Sequence, residues 1–237
     1  MKINFREINV KLIENKGYGN AINFGSKFIK TKYFLASNPD LQGITEDSLK
    51  KFLNTAIQLK DQFSTIGPRY ENVNPKSLVQ SDLNYEISEI KVISGACMFF
   101  NKKNFDQIGG FDENFFLYFE ENDFCLRAFP IYKNYQINSI KVYHDAGNSV
   151  SVKNEEEKEL HENFRTWHFM WSKFYFYKKQ YNFLIALIYF LPILLRLLIR
   201  IIFHLILNDK KKSNKYKARL SGLINSILGY KSSYRIN

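Results

Sequence analysis

Three carboxylates crowd the start of one helical pattern in this sequence: Glu120, Glu121 and Asp123, with Arg127 four residues after the last. At helical spacing Glu120, Asp123 and Arg127 share one face, while Glu121 shares the other with Phe124, Cys125 and Ala128. Glu121 therefore stands at the mouth of an apolar face, beside a helix N-terminus that favours its charged form. A carboxylate so placed can take a proton from a hydroxyl, as a general base does. Acids also gather at helix N-termini for the dipole alone, and an isolated Glu would be read that way. Two further groups could bind a ligand. Asp40 ends the turn Asn38-Pro39-Asp40 after a strand-like run, the place where ligands bind in open α/β sheets. His144 follows another such run, although a lone histidine is more often structural than a ligand.

The elements that must position these groups are legible in part. Residues 8–13 alternate like a strand and lead into the glycine-punctuated segment 14–25, a turn into a helix. Residues 32–37 read as the next strand. Thr45-Glu46-Asp47 opens a helix reaching Lys60, with Leu49, Phe52, Leu53, Ala56 and Leu59 on its apolar face. Residues 63–67 form a short strand closed by Gly67-Pro68, and residues 69–90 read as a polar loop without chemistry. At Gly95-Ala96 a minimal side chain lets a ligand or another backbone come close, and the buried strand 96–100 follows. A turn at Gly109-Gly110 then leads through Phe111-Asp112-Glu113 to the acidic helix, and residues 135–143 are the strand before His144.

As a whole, the string from Ser94 to Arg127 resembles the acceptor-side motif of the family 2 glycosyltransferases, most closely their rhamnosyltransferase-like branch. The resemblance runs through Gly95-Ala96, Gly109 to Glu113, Phe115-Phe116, Tyr118 and Glu120-Glu121-Asn122-Asp123, with Glu121 where the family usually places an aspartate base. Asn15, Gly17, Tyr18, Gly19, Asn23 and Gly25 resemble the segment beside the donor nucleotide, and Asn38-Pro39-Asp40 looks like the metal motif reduced to one acid. The resemblance implies a GT-A fold, an α/β architecture with a Rossmann-like, mostly parallel sheet and flanking helices. It implies an inverting transfer of a sugar from a nucleotide-sugar donor to an acceptor hydroxyl in surface-polysaccharide or glycan biosynthesis.

In that scheme Glu121 is the catalytic base. Asn15, Gly17, Asn23, Asn38 and Asp40 bind the donor, while Gly95, Ala96, Glu120 and Asp123 shape the acceptor side. Asp40 and His144 hold a divalent cation, Mg2+ or Mn2+, which needs only one or two protein carboxylates because phosphate oxygens complete its shell. Relatives begin with a further βαβ unit, so the resemblance also implies an N-terminally truncated domain whose missing unit either precedes Met1 in frame or comes from a second chain. The competing reading is a non-catalytic remnant, or a membrane-tethered partner protein, that retains the acceptor half.

The 237 residues, 45% of them hydrophobic, suit one α/β domain over residues 1–166 and a helical region over residues 167–237. Cys97 and Cys125 fall inside core elements, which points to a reducing, cytosolic setting and no disulfide framework. Residues 1–10 carry no signal-peptide pattern. Charge is unevenly spread. Residues 1–169 hold 21 Lys and Arg against 22 Asp and Glu, a balance of −1, whereas residues 170–237 hold 13 against Asp209 alone, a balance of +12.

From Trp167 the chain is aromatic and basic, as at a membrane interface. Residues 183–207 are apolar apart from Arg196, Arg200 and His204, spaced by four. Each arginine near mid-membrane costs about 2.5–3.5 kcal/mol, so amphipathic helices lying in the interface, kinked at Pro192, are expected rather than a span. Lys210, Lys211, Lys212, Lys215, Lys217 and Arg219 form a polybasic patch worth roughly 1 kcal/mol each near anionic lipid. Apolar neighbours direct this charge to an anionic membrane surface rather than to nucleic acid. The expectation is a protein peripheral on the cytoplasmic face of the cell membrane, acting on a lipid-linked or polysaccharide acceptor.

Overall fold

A computed structural model of the chain describes residues 9–71, 82–145 and 154–236. In chain order the elements are α1 (Tyr18–Ser26), β1 (Tyr33–Ser37), β2 (Leu41–Gln42), α2 (Glu46–Gln58), β3 (Phe63–Tyr70), β4 (Ile87–Ile90), β5 (Cys97–Asn101) and α3 (Lys102–Ile108). Then follow α4 (Glu120–Ala128), β6 (Lys133–His144), α5 (Glu155–Tyr181), α6 (Phe183–Ile206) and α7 (Lys210–Ile227). They divide into two compact units. The first is Met1–Lys16, Asn20–Phe111 and Glu121–Val150; the second is Gly17–Gly19, Asp112–Glu120 and Ser151–Asn237.

The first unit is built on a six-stranded sheet in the order β1-β5-β3-β6-β2, with β4 also on β6. Among the described strands only β3 and β6 pair in parallel; β1 with β5, β3 with β5, β2 with β6 and β4 with β6 are antiparallel. The mostly parallel sheet expected from the sequence is thus corrected to a mostly antiparallel one. Runs such as Cys97–Asn101, buried at every position, suit a strand covered on both faces, but such burial does not fix strand direction. Residues 9–13, expected to be strand, have no regular structure and lie without a ladder partner among the described strands.

The core forms where α2 covers the sheet. Thr45 caps α2 by accepting from the Ser48 N–H while the Thr45 N–H donates back to Ser48 Oγ, both at 3.2 Å. Phe52 and Ala56 then face inward, and Phe52 stacks on Phe99 at 5.3 Å beside Phe63, Ile66, Ile137 and Val142. Burying each such side chain stabilises the fold by about 1.5–3 kcal/mol.

β3 does not stop at Gly67-Pro68 but runs on to Tyr70. The register with β6 shifts between Pro68 and Arg69, and a proline is tolerated at such an irregularity because its missing N–H breaks no regular ladder. Arg69, Tyr70 and β4 therefore belong to the sheet rather than to a loop, while residues 72–81 of that stretch lie outside the described residues.

The second unit is a three-helix assembly with Met170, Phe174, Ala186, Phe190, Leu197 and Leu223 as its core. Trp167, His168, Trp171 and Phe174, expected at a membrane interface, are instead buried. Their aromatic surface is what α5 offers to the rest of its own unit. The acidic start of α5 has a structural use as well: Lys211 of α7 pairs with Glu155 at 3.4 Å, and Lys215 pairs with Glu162. α6 passes through Pro192 as one helix, and by length and composition it could cross a membrane.

Candidate active site

The register of β2 on β6 sets Leu41 opposite His144, so the residue before β2 falls beside the imidazole. Asp40 Oδ1 lies 3.2 Å from His144 Nε2, with the two side chains 11% and 19% exposed. The Asp145 N–H donates to the Asp40 carbonyl at 3.2 Å and fixes the turn. Asn38 Nδ2 is 3.4 Å from the same imidazole nitrogen, and the Asn38 N–H donates to the Ala96 carbonyl at 2.9 Å. One small region therefore gathers Asn38, Asp40, Ala96 and His144.

Asp40 Oδ1 is buried and has no hydrogen-bond partner. A hard cation suits such an oxygen, and neighbouring ligands on bonds of about 2.1 Å stand about 3 Å apart, close to the separation here. Among the described residues no three His, Cys, Asp or Glu side chains converge on a point. Asp40 and His144 fit a cation whose remaining positions are filled by phosphate oxygens and water.

Glu121 occupies the first turn of α4, with Phe124, Cys125 and Ala128 wholly buried behind it on the face expected from their spacing. Its Oε2 is buried without a hydrogen-bond partner. Burial pushes the carboxyl above its ordinary range, against the pull of its own N–H and that of Asn122. The sequence emphasised the helix terminus, which favours the charged form; loss of water outweighs it. Burial also raises the Cys125 thiol to about 12, with the Glu121 charge adding to the effect.

Tyr70 is the residue that sequence reasoning missed. Burial raises its phenol first, and the acidic groups of Cys97 and Glu121 raise it further, while its ring meets His144 edge-on at 6.4 Å. Its ring therefore stands beside the imidazole, and its phenol lies within the field of the Glu121 carboxylate. The available signal was Ile66 and Tyr70 on one strand face, an alternation that the Gly67-Pro68 pair obscured.

Other motif residues hold backbone in place. The Asn23 amide is joined to the backbone of Phe111. Gly110 sits at φ +65°, where a Cβ would come within 2.6 Å of Asn23 Oδ1. Arg127 donates to the carbonyls of Ile108 and Gly110 at 2.9 and 2.6 Å, and Asp123 Oδ2 orients it at 2.8 Å. Gly95 lies at the turn before β5, while Asn15 lies in an exposed segment without regular structure and is not brought to the pair by any described contact.

In the second unit Gly17, at φ +103°, lies against Phe116, where a Cβ would be 2.2 Å from the carbonyl oxygen. Asp112 accepts from Lys179 at 2.6 Å and from the Tyr175 hydroxyl at 3.1 Å, and the Ser172 hydroxyl donates to the Leu117 carbonyl at 2.7 Å. Tyr118 and Phe119 both have φ +69°, a left-handed conformation costing of order 1–3 kcal/mol per residue, immediately before the buried Glu120. Residues 146–149, the remainder of the segment after His144, lie outside the described residues.

No protein-family profile matches the chain. A curated relative, the low-salt glycan biosynthesis hexosyltransferase Agl10 of Haloferax volcanii, is 28% identical over 136 aligned residues, covering 48% of this chain and 43% of the relative. The chain therefore spans less than half the length of the curated relative it matches. Among solved structures, the mannosyltransferase PcManGT of Pyrobaculum calidifontis, in complex with GDP-Man and Mn2+, superimposes with a TM-score of 0.54 at 10% identity, over 93% of this chain and 69% of that one. The chain thus has a glycosyltransferase relative in sequence and a glycosyltransferase's fold.

Proposed function

We propose that this chain is a metal-dependent, inverting glycosyltransferase of family 2, in its rhamnosyltransferase-like branch, acting in glycan or surface-polysaccharide assembly. The observation that carries the reading is the 3.2 Å approach of Asp40 Oδ1 to His144 Nε2, supported by the buried Oε2 of Glu121, which has no hydrogen-bond partner. The donor is a nucleoside-diphosphate sugar, the class of ligand in the mannosyltransferase structure. Asn38 and Asp40 bind it from their turn, Asn23 supports the helix that follows Asn15, and Gly95, Ala96 and Asp123 belong to the acceptor side.

Glu121 Oε2 accepts the proton of the acceptor hydroxyl as that oxygen attacks the anomeric carbon. The new C–O bond forms on the face opposite the breaking bond to the nucleoside diphosphate, so the configuration inverts. The raised pKa makes Glu121 the stronger proton acceptor near neutral pH. Asp40 and His144 would hold a divalent cation, which when bound would supply charge neutralisation of the leaving diphosphate. The exposed apolar face of α6 and the basic residues around it support a peripheral position on the cytoplasmic face of the membrane, beside a lipid-linked acceptor.

The deciding experiment is turnover of a nucleotide-sugar panel with Mn2+, with and without lipid-linked acceptors, by the chain and its Glu121→Gln variant. Sugar release or transfer that requires Glu121 is the expected result. Turnover that survives Glu121→Gln, or none with any donor, overturns the reading.

A further inference from the structure

A cleft of about 220 Å3 opens where α5, α6 and α7 meet, and its lining includes Arg196, Arg200, Arg219 and Tyr216 together with Met170 and Leu197. Tyr216 organises two of the arginines. Its hydroxyl accepts from Arg200 Nη1 at 2.5 Å, and the Arg200 and Arg219 guanidiniums lie 5.3 and 5.9 Å from its ring centre. Arg219 Nε is buried and has no hydrogen-bond partner. Among the described residues, no carboxylate forms an ion pair with any of the three arginines. The nearby acids are engaged elsewhere, Glu155 with Lys211, Glu162 with Lys215, and Asp209 with Lys212 and His204.

Three guanidiniums in one cleft repel each other, and a buried donor without a partner adds to the cost. A phosphate resolves both, since its oxygens match the guanidinium fork and accept several charge-assisted hydrogen bonds. The volume, equal to roughly seven waters at about 30 Å3 each, admits a phosphate and the first atoms of an ester substituent.

The other face of α6 says what that substituent is. At 100° per residue Ile188, Leu195, Ile199, Ile202 and Ile206 stand opposite the packed Leu197, and they are 54% to 78% exposed. Arg196 and Arg200 lie on the flank between the packed and the exposed arcs. We propose that the cleft takes the phosphate headgroup of an anionic membrane lipid, whose hydrocarbon covers the outward face of α6. This inference rests on the membrane placement proposed above and adds to it a defined headgroup site.

The test is co-flotation of the full chain with phosphatidylcholine vesicles doped either with phosphatidic acid or with oleate to the same surface charge. Both surfaces attract the lysines of α7, but only phosphatidic acid offers the phosphate monoester. Binding is expected to be about tenfold tighter to phosphatidic acid. Arg196→Lys with Arg200→Lys, which keeps the charge at exposed positions but loses the forks, and Arg219→Gln separately, should each remove that preference and leave oleate binding unchanged. Equal binding to the two vesicles, or a preference that survives both variants, refutes the cleft while leaving the membrane placement standing. Failure to float with either refutes both. A calorimetric titration with inorganic phosphate should give no heat below millimolar; tighter binding reassigns the cleft to a free anion.

Discussion

Asn23 and Phe111 exchange two hydrogen bonds of 2.9 Å, the Asn23 Nδ2 donating to the Phe111 carbonyl and the Phe111 N–H donating to Asn23 Oδ1. This reciprocal pair fixes the corner after Gly110 and with it the path towards α4. Asn23→Ala should lower stability by about 2–3 kcal/mol, the sum of two partly buried bonds. Urea unfolding of the purified variant measures it, and a change under about 0.5 kcal/mol would leave Asn23 a role in donor binding alone.

Replacing Glu121 with Gln preserves shape and removes proton acceptance, so kcat should fall by about 10^2–10^4. The base acts only when ionised, and rate should therefore drop roughly tenfold per pH unit below its pKa. Because burial has raised that pKa, the acid limb of the kcat profile should lie above the ordinary carboxylate range. A limb at or below that range contradicts the assignment.

Asp40→Asn and His144→Ala should each weaken Mn2+-dependent nucleotide-sugar binding by at least about tenfold, with metal-free binding little changed. Calorimetric titrations with Mn2+ and with chelator make the comparison. Equal losses with and without metal would instead make the pair a direct donor contact.

His168 gives the second unit an acid sensitivity. The Tyr234 carbonyl at 2.9 Å can only accept, so Nε2 carries the proton and Nδ1 accepts from the Ser232 hydroxyl at 2.8 Å. Burial, aided by the charge of Arg235, lowers its pKa to about 4, against about 6.5 when unfolded. The unfolded chain thus binds more protons between those values, and stability falls as pH drops from about 6.5 towards about 4. The expected loss between pH 7 and pH 5 is about 2 kcal/mol, read from urea midpoints, and His168→Gln should flatten that slope while lowering stability at pH 7.

Much of the site was readable because its residues follow regular elements. The strand before Asp40, the helix from Thr45, the helix carrying Glu121 and the strand ending at His144 all appear where periodicity places them. Strand direction was not readable, since Cys97–Asn101 is buried throughout and such a run pairs equally well either way. Tyr70 was hidden because Gly67-Pro68 signals a turn locally, whereas the sheet absorbs it as a shift of register. The aromatic run from Trp167 has the composition of a membrane interface, and only tertiary packing shows that Trp167, Trp171 and Phe174 are covered by protein. Asp123 and Arg127 were legible as an i,i+4 pair on one helix face, but Asn23 was not legible as the fastener of Phe111, because that contact depends on where Gly110 turns the chain.

Phe116 meets His168 at 4.7 Å between ring centres, and the Arg235 guanidinium lies 3.5 Å from the centre of the Phe116 ring. During synthesis the segment from Asp112 to Glu120 therefore leaves the ribosome well before the residues that enclose it. At roughly 5–20 residues per second the wait is on the order of ten seconds. Through that interval Phe115 and Phe116 are uncovered on a nascent chain, a natural point for a chaperone to act, and the acidic helix beyond them acquires its final lead-in only once Arg235 has been made.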